Sequence, residues 1–277
     1  MSERATAIPT LTLCEVADTG APGIESYSPF CLKVHRALRL CGLRYQRRHG
    51  ATPASFKQYN PARQVPVLLV DDQPVFDSTR ILLRLDELSG GALTRGLDPR
   101  ARAEAWLWEE LADASLSGFV VAARWADDDN WPRARDAFFV GLPALVRPLV
   151  AGGVRRGVMA RLRARDVWRA GPEACWASLQ HVLDRLEGRA PGARWWMGET
   201  IGVADIALFA QLHSLRTALT PWQAEQVAAR KKLSAWLDRV QDATAVDRAA
   251  TEVTIRGPAH TQPSRNGQVL ASTTAAE

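Results

Sequence analysis

Apolar residues along the chain follow one rhythm up to about residue 90 and another beyond it. Leu11 to Val16 is a short apolar run of the length of a buried strand. After Pro29, Val34, Ala37, Leu38 and Cys41 recur at helical spacings, and Gly42 suits the residue just past a helix end. Leu43 to His49 alternates in character and reads as a second strand, so the opening is β-α-β. Ala51 to Tyr59 is expected to be a short irregular helix closed by Asn60-Pro61. Val65 to Val70 reads as a strand, Asp71 to Gln73 as a polar turn, and Pro74 to Phe76 as a short returning strand. Asp77-Ser78 caps a helix with Ile81, Leu82, Leu85 and Leu88 on one face, stopped by Ser89-Gly90-Gly91.

From Asp98 onward the periods are helical only. Arg102 to Trp125 is a long helical run with an interruption expected near Gly118. Asp127 to Asn130 breaks it, and Trp131 to Arg169 holds two further helices, expected to separate around Gly152-Gly153. Pro172 opens a helix carrying Cys175, Leu179, Val182, Leu183 and Leu186. Gly192 to Glu199 is a Trp-containing loop. A buried helix with Ile206, Leu208, Phe209, Leu212, Leu215 and Leu219 follows, then an amphipathic one with Leu233, Trp236, Leu237 and Val240. Beyond Ala250 the chain is small, polar and aperiodic, which predicts disorder. The expected division is an α/β domain over residues 10–88, a linker over 89–98, an all-helical domain over 99–245 and a disordered tail over 251–277.

Composition adds limits. With 277 residues, 47% of them apolar, the chain can form two modest domains around a substantial core. The net charge of +5 is modest but uneven, with nine arginines between Trp131 and Ala170 against only Asp136 and Asp166. Such a stretch suits an acidic partner or nucleic acid. No nucleic-acid-binding module accompanies it, so it reads as a solvated face. Cys14, Cys31, Cys41 and Cys175 show neither metal-ligand spacing nor a paired redox motif, which suits a reducing compartment and no metal. Met1 to Pro9 lacks the pattern of a signal peptide, and no apolar run is long enough to span a bilayer. These features predict a cytoplasmic protein with no membrane partner.

Three places carry chemistry. Pro29 at the first helical position puts Ser28 at an N-cap, where free N–H groups and the positive helix end favour an anion or thiolate. Val65-Pro66 sets a proline at the start of a central strand. A cis bond there would leave the Val65 N–H and C=O free to pair with a peptide-like ligand. Asp77-Ser78 presents a second helix N-terminus suited to a carboxylate. A strand edge between two helix N-termini suits a short anionic peptide.

In that order these motifs resemble the glutathione transferase superfamily. The resemblance runs from about Thr10 to Ala245. It is carried by Ser28-Pro29-Phe30-Cys31 with Lys33-Val34, by Asn60-Pro61 and Gln64-Val65-Pro66-Val67-Leu68, by Asp77-Ser78, and by Gly202-Val203-Ala204-Asp205-Ile206-Ala207-Leu208. It implies a thioredoxin-like N-terminal domain followed by an all-helical domain. It also implies a glutathione transferase that activates the glutathione thiol for attack on a small hydrophobic electrophile, with glutathione as co-substrate, no metal, and a homodimeric state. Ser28 then matches the serine that holds the thiolate. Val65, with Pro66, matches the residue pairing with the cysteinyl part, and Asp77 with Ser78 the pair binding the γ-glutamyl end. Gln64 matches a side chain that contacts glutathione. Lys33 is either a charge near the thiol or a solvated helix lysine.

The chain departs from the family in places. Its loop over 17–26 is long, so Tyr27 is an alternative to Ser28 as the thiol's partner. Gly202 stands where the family usually has Ser or Thr as a helix cap. Cys31, one turn into the helix, reads as a buried core residue rather than a disulfide-exchanging thiol. Trp106, Trp108, Phe119 and Trp125 are candidates for the wall of the electrophile pocket. Two other readings stand beside the transferase: a glutathione-binding or protein-interaction module without turnover, and a glutathione-dependent isomerase.

Overall fold

The computed structural model describes residues 9–16, 19, 24–164, 166–245 and 252–256. Residues 1–8 and most of the loop over 17–26 lie outside them. The first half holds β1 (Leu11–Val16), α1 (Pro29–Leu40), β2 (Tyr45–Gly50), a single 3₁₀ turn (Pro53–Phe56), β3 (Val67–Val70), β4 (Gln73–Phe76) and α2 (Ser78–Leu88). The second is helical: α3 (Pro99–Leu111), α4 (Ser117–Val121), α5 (Trp131–Phe138), α6 (Arg147–Ala164), α7 (Asp166–Arg169), α8 (Pro172–Arg189), α9 (Val203–Leu215), α10 (Pro221–Ala229) and α11 (Lys231–Thr244). A last strand, β5 (Glu252–Arg256), returns to the sheet.

The sheet order is β4-β3-β1-β2-β5. β1 pairs in parallel with β2 and antiparallel with β3, and β3 pairs antiparallel with β4. Side chains alternate between two cores. Leu11 and Leu13 of β1 with Leu68 and Val70 of β3 face α1 and α2, while Cys14, Val67 and Leu69 pack on Phe56 from the 3₁₀ turn. Of the tail expected to be disordered over 251–277, only 252–256 are described, the rest lying outside the described residues; against expectation these five form β5, in which Glu252 to Arg256 pair in parallel with Tyr45 to His49 of β2. Its sequence, EVTIR, sets three β-branched residues between two charged ones, a run too short to register against the polar residues around it.

The expected interruption near Gly118 does not end the long helix. Two stretches of π-helix, Ala112–Leu116 and Ala122–Ala126, carry it through to residue 126. Gly118 serves packing instead, since a Cβ there would stand 2.9 Å from Val167 Cγ2 of α7. Nor do Gly152 and Gly153 separate a pair of helices. α6 runs through them, and the break falls at 139–146, where Gly141 and Pro143 stand. A mid-helix glycine costs about 1 kcal/mol relative to alanine, which is too little to stop a packed helix.

α9 organises the molecule. All of its residues are buried, so it has no solvent face, and it packs against α1, α3 and α11. Asp205, in its first turn, accepts the Gly202 N–H at 3.1 Å, the Trp196 N–H at 2.8 Å and the Trp236 Nε1–H at 2.9 Å. Burial nevertheless pushes its carboxyl up to about 6. The glycine at the cap position has a steric cause. A Cβ on Gly202 would lie 2.7 Å from the Leu93 carbonyl oxygen, so the segment joining the two halves passes where a Ser or Thr side chain would begin.

Candidate functional site

The segment leading to Ser28 is pinned at every step. The Glu25 carboxylate pairs with Arg36 at 3.1 Å and with Arg39, and its carbonyl accepts Arg47 Nη2–H at 2.8 Å. Burial pushes the Glu25 carboxyl up, but these arginines outweigh it and hold it at about 2. Arg47 and His35 meet in turn at the fully buried Glu15, at 2.7 and 3.0 Å. Ser26 Oγ accepts the Ser28 N–H at 3.2 Å. The Tyr27 carbonyl accepts Arg124 Nη1–H, while Arg124 Nη2–H reaches the Ser214 carbonyl at 2.8 Å. Arg124 has no carboxylate partner among the described residues, and burial pushes its guanidinium down to about 10. Ser28 therefore sits half-exposed at the N-cap of α1, its Oγ accepting the Cys31 N–H at a long 3.4 Å. The loop's length leaves its last turn fixed from both halves of the chain.

Lys33 is not a solvated lysine. Its side chain is 0% exposed, and Nζ lies 2.6 Å from Glu109 Oε1 and 2.5 Å from Asp113 Oδ2. The same two carboxylates take the start of α2: Thr79 Oγ1–H donates to Glu109 at 2.9 Å and Ser78 Oγ–H to Asp113 Oδ2 at 3.4 Å. Asp113 Oδ1 is buried without a partner. Burial pushes the Glu109 carboxyl up, against the pull of Lys33. One acidic pair from the helical half thus joins α1 to the N-terminus of α2.

Other expected site residues fall as follows. Val65-Pro66 is a cis peptide directly before β3, with Pro66 buried and Val65 half-buried. Gln64 is exposed, and its carbonyl accepts Asn60 Nδ2–H at 3.0 Å. Asp77 caps α2 through its carboxylate, which accepts the Arg80 N–H at 3.2 Å. Its φ of 76° is one that side-chain-bearing residues rarely adopt, and such outliers gather at functional sites. Cys31 is fully buried, and burial pushes its thiol far above the ordinary range despite nearby Ser28 and Ser26, so it is no ready nucleophile.

Of the four aromatic candidates for a pocket wall, Trp125 alone joins a group that reaches Tyr27. It stacks on Phe138 at 5.3 Å and packs against Trp131, and Phe138 meets the Tyr27 ring edge-on at 5.5 Å. Trp108 packs instead on Trp196 at 5.3 Å, and Phe119 and Trp106 belong to the core. Two clefts lie away from Ser28, Val65 and Ser78. One of about 670 Å³ is lined by Arg189, Trp195 and their neighbours, the other of about 550 Å³ by Arg155, Arg156, Met159, Arg163 and Trp168. Among the described residues no three His, Cys, Asp or Glu side chains come together as a metal site.

Arg124, Glu109 and Asp113 escaped the sequence reading. Glu109 and Asp113 stand four apart on the long helix, a spacing that puts both acids on one face. Their partner Lys33 lies 76 residues away from Glu109, and no local pattern joins them.

Residues 29–130 match the family model for the glutathione S-transferase N-terminal domain, and residues 159–239 that for the glutathione S-transferase C-terminal domain. Together they cover about two thirds of the chain and leave 131–158 between them. Glutathione transferase GST 23 of Zea mays is 36% identical over 91 residues, 31% of this chain and 41% of that protein. The chain spans less than half the length of the curated relatives it matches. Among solved structures, a glutathione transferase family member from Pseudomonas fluorescens pf-5 with two glutathione bound superimposes with a TM-score of 0.55 at 20% identity, over 85% of this chain and 89% of that one. The beta-etherase LigF of Sphingobium sp. strain SYK-6 does so with 0.54 at 23%, over 83% and 94%.

Proposed function

The chain belongs to the glutathione S-transferase superfamily, and from that premise we propose that it is a glutathione transferase whose thiol-activating residue is Ser28. The observation that carries the proposal is the placing of Ser28, half-exposed at the N-terminus of α1 on a turn braced by Glu25, Ser26 and Arg124. A glutathione thiol has the ordinary value of a free cysteine, about 8.5. A hydrogen bond from the Ser28 hydroxyl and the positive end of α1 both favour its thiolate. Lowering that value by two units requires about 2.7 kcal/mol, which these two interactions can supply in a partly dry site. The thiolate then attacks the electrophile, forming a carbon–sulfur bond while the leaving group departs with its electron pair.

The remaining assignments follow the shape of the tripeptide. Val65, with Pro66, pairs through its backbone with the cysteinyl part. Ser78 and the free N–H groups at the start of α2 take the γ-glutamyl carboxylate. The Asp113 carboxylate, partly exposed and already facing Ser78, lies beside it as the partner for the α-ammonium. Asp77 and Gln64 border this end. Tyr27, Phe138 and Trp125 form an aromatic wall for a hydrophobic electrophile, and the working protein is a cytoplasmic homodimer. The second reading, a glutathione-binding module without turnover, keeps the same peptide contacts; in either reading the bond from Ser78 Oγ–H to Asp113 Oδ2 at 3.4 Å rearranges around a bound γ-glutamyl carboxylate.

Retention on immobilised glutathione, together with conjugation of an aromatic halide, tests both. Ser28→Ala is expected to retain binding, lose about 10- to 100-fold in kcat, the worth of one hydrogen bond to a charged group, and raise the pKa of bound glutathione read by thiolate absorbance. An unchanged titration in this variant would remove Ser28 from the role, and the same loss in Tyr27→Phe would transfer it to Tyr27. Retention with no turnover in the wild type would leave the binding module.

A further inference from the structure

Between the stretches matched by the two family models lies the most unusual surface of the molecule. Val140 is 73% exposed, Leu145 96% and Leu149 77%, and Val146, Val150 and Val154 are exposed as well. Six exposed aliphatic side chains within fifteen residues are not ordinary surface composition. They cluster on one end of α6 and the turn before it, while Ala151, Met159 and Leu162 of the same helix face the protein. From Ala137 to Arg165 the chain has six arginines and no Asp or Glu. Arg156, Arg161 and Arg163 are exposed and have no ion-pair partner among the described residues, and Arg155 pairs with Asp128 at 2.5 Å.

We propose that this aliphatic and arginine-bearing face of α6 docks the protein on an anionic lipid surface. The inference is independent of the catalytic reading. Charge decides among occupants. A second copy laying this same face on itself across a two-fold axis would crowd arginines of both copies together, with no acid in the segment to relieve them. Nucleic acid would satisfy the arginines but leave Leu145, Leu149 and Val146 without a counterpart, because the segment offers no exposed aromatic ring for bases to stack on. Phe138 and Phe139 are packed on Trp125. A membrane surface with acidic headgroups suits both: aliphatic side chains enter the acyl boundary and guanidinium groups bind phosphate above it. No helix among the described residues is long and apolar enough to cross a bilayer, so the contact is with the surface.

Flotation of the full chain with vesicles of phosphatidylcholine alone, and with about 30% phosphatidylglycerol added, tests this. Binding is expected with the anionic vesicles only, weakening as salt rises from about 0.1 M to about 1 M, where screening shortens from ~10 to ~3 Å. Leu145→Ser/Leu149→Ser should weaken partitioning at least about tenfold, because two leucines no longer leave water. Arg156→Gln/Arg163→Gln should weaken it by a similar factor, at about fivefold per charge. All four side chains are exposed, so the variants should keep the wild-type circular dichroism and glutathione retention. No flotation with anionic vesicles, or undiminished flotation of the leucine variant, would overturn the proposal. So would conversion of a wild-type dimer to monomers by the leucine variant, which would assign the face to a second copy.

Discussion

Lys33→Met tests whether one buried cation couples α1 to the helical half. Methionine keeps most of the lysine's volume and removes only its charge. In the wild type Nζ is shielded from water and lies within 2.6 Å of both carboxylates, Glu109 being 1% exposed. The variant leaves two neighbouring acids facing no cation, and its cheapest relief is for Glu109, already pushed up by burial, to take a proton. Protonating at pH 7 a carboxyl whose ordinary value is 4.5 costs about 3.4 kcal/mol, at roughly 1.4 kcal/mol per pH unit. That agrees with the ~3–5 kcal/mol usual when one partner of a buried pair is removed. The sign follows from linkage. In the variant Glu109 holds a proton in the folded state that the unfolded chain has released, so stability falls as pH rises above 4.5 and the deficit closes on acidification. Urea unfolding of wild type, Lys33→Met and Lys33→Met/Glu109→Gln at several pH values reads this directly. The double variant should recover more than half of the loss at pH 7, since a glutamine can still accept from Thr79. A loss below about 1 kcal/mol, or one of the same size at pH 5 and pH 7, would show that the cluster is solvated and the argument wrong.

Gly202→Ser restores the family's usual cap residue and should nevertheless destabilise by about 1–3 kcal/mol, because the added Cβ meets the Leu93 carbonyl at 2.7 Å; a raised Tm would refute this. Asp205, raised by burial from 3.8 to about 6, should make stability fall as pH rises through that interval, by about 3 kcal/mol. Unfolding of Asp205→Asn followed against pH should lack that limb. Glu25 has the opposite sign: its value of about 2 supplies stability above 4.5 that disappears as pH falls toward 2. Glu25→Gln should flatten the acid side of the same profile.

What could be read before the structure depended on how local each signal was. β1, α1 and α8 lie where their apolar periods and their Pro and Gly boundaries put them, because a strand period or an N-terminal proline is written within a few residues. Gly118, Gly152 and Gly153 misled for the complementary reason. A glycine's preference is worth about 1 kcal/mol, and packing on Val167, or simple continuation of α6, outweighs it. β5 failed differently, since an edge strand is recognised by the strand it joins, and β2 lies some two hundred positions earlier in the chain.

The candidate site divides along the same line. Ser28, Asp77 and Ser78 stood out because a helix N-cap is a local event, and the structure places each at a helix start. Lys33 could not be understood locally. On the buried face of α1 an unpartnered lysine would cost several kcal/mol, so its presence there requires an acid from elsewhere. That acid is a pair, Glu109 and Asp113, on a helix that shares no pattern with α1. Asp113 also meets Ser78, so the acid that neutralises α1 also fixes the mouth of α2. Changes on the helical half at position 113 are therefore expected to alter the stability of the α/β half and, under the proposed binding of the γ-glutamyl end at Ser78, the affinity for glutathione. The unfolding of Lys33→Met at several pH values measures the strength of this contact.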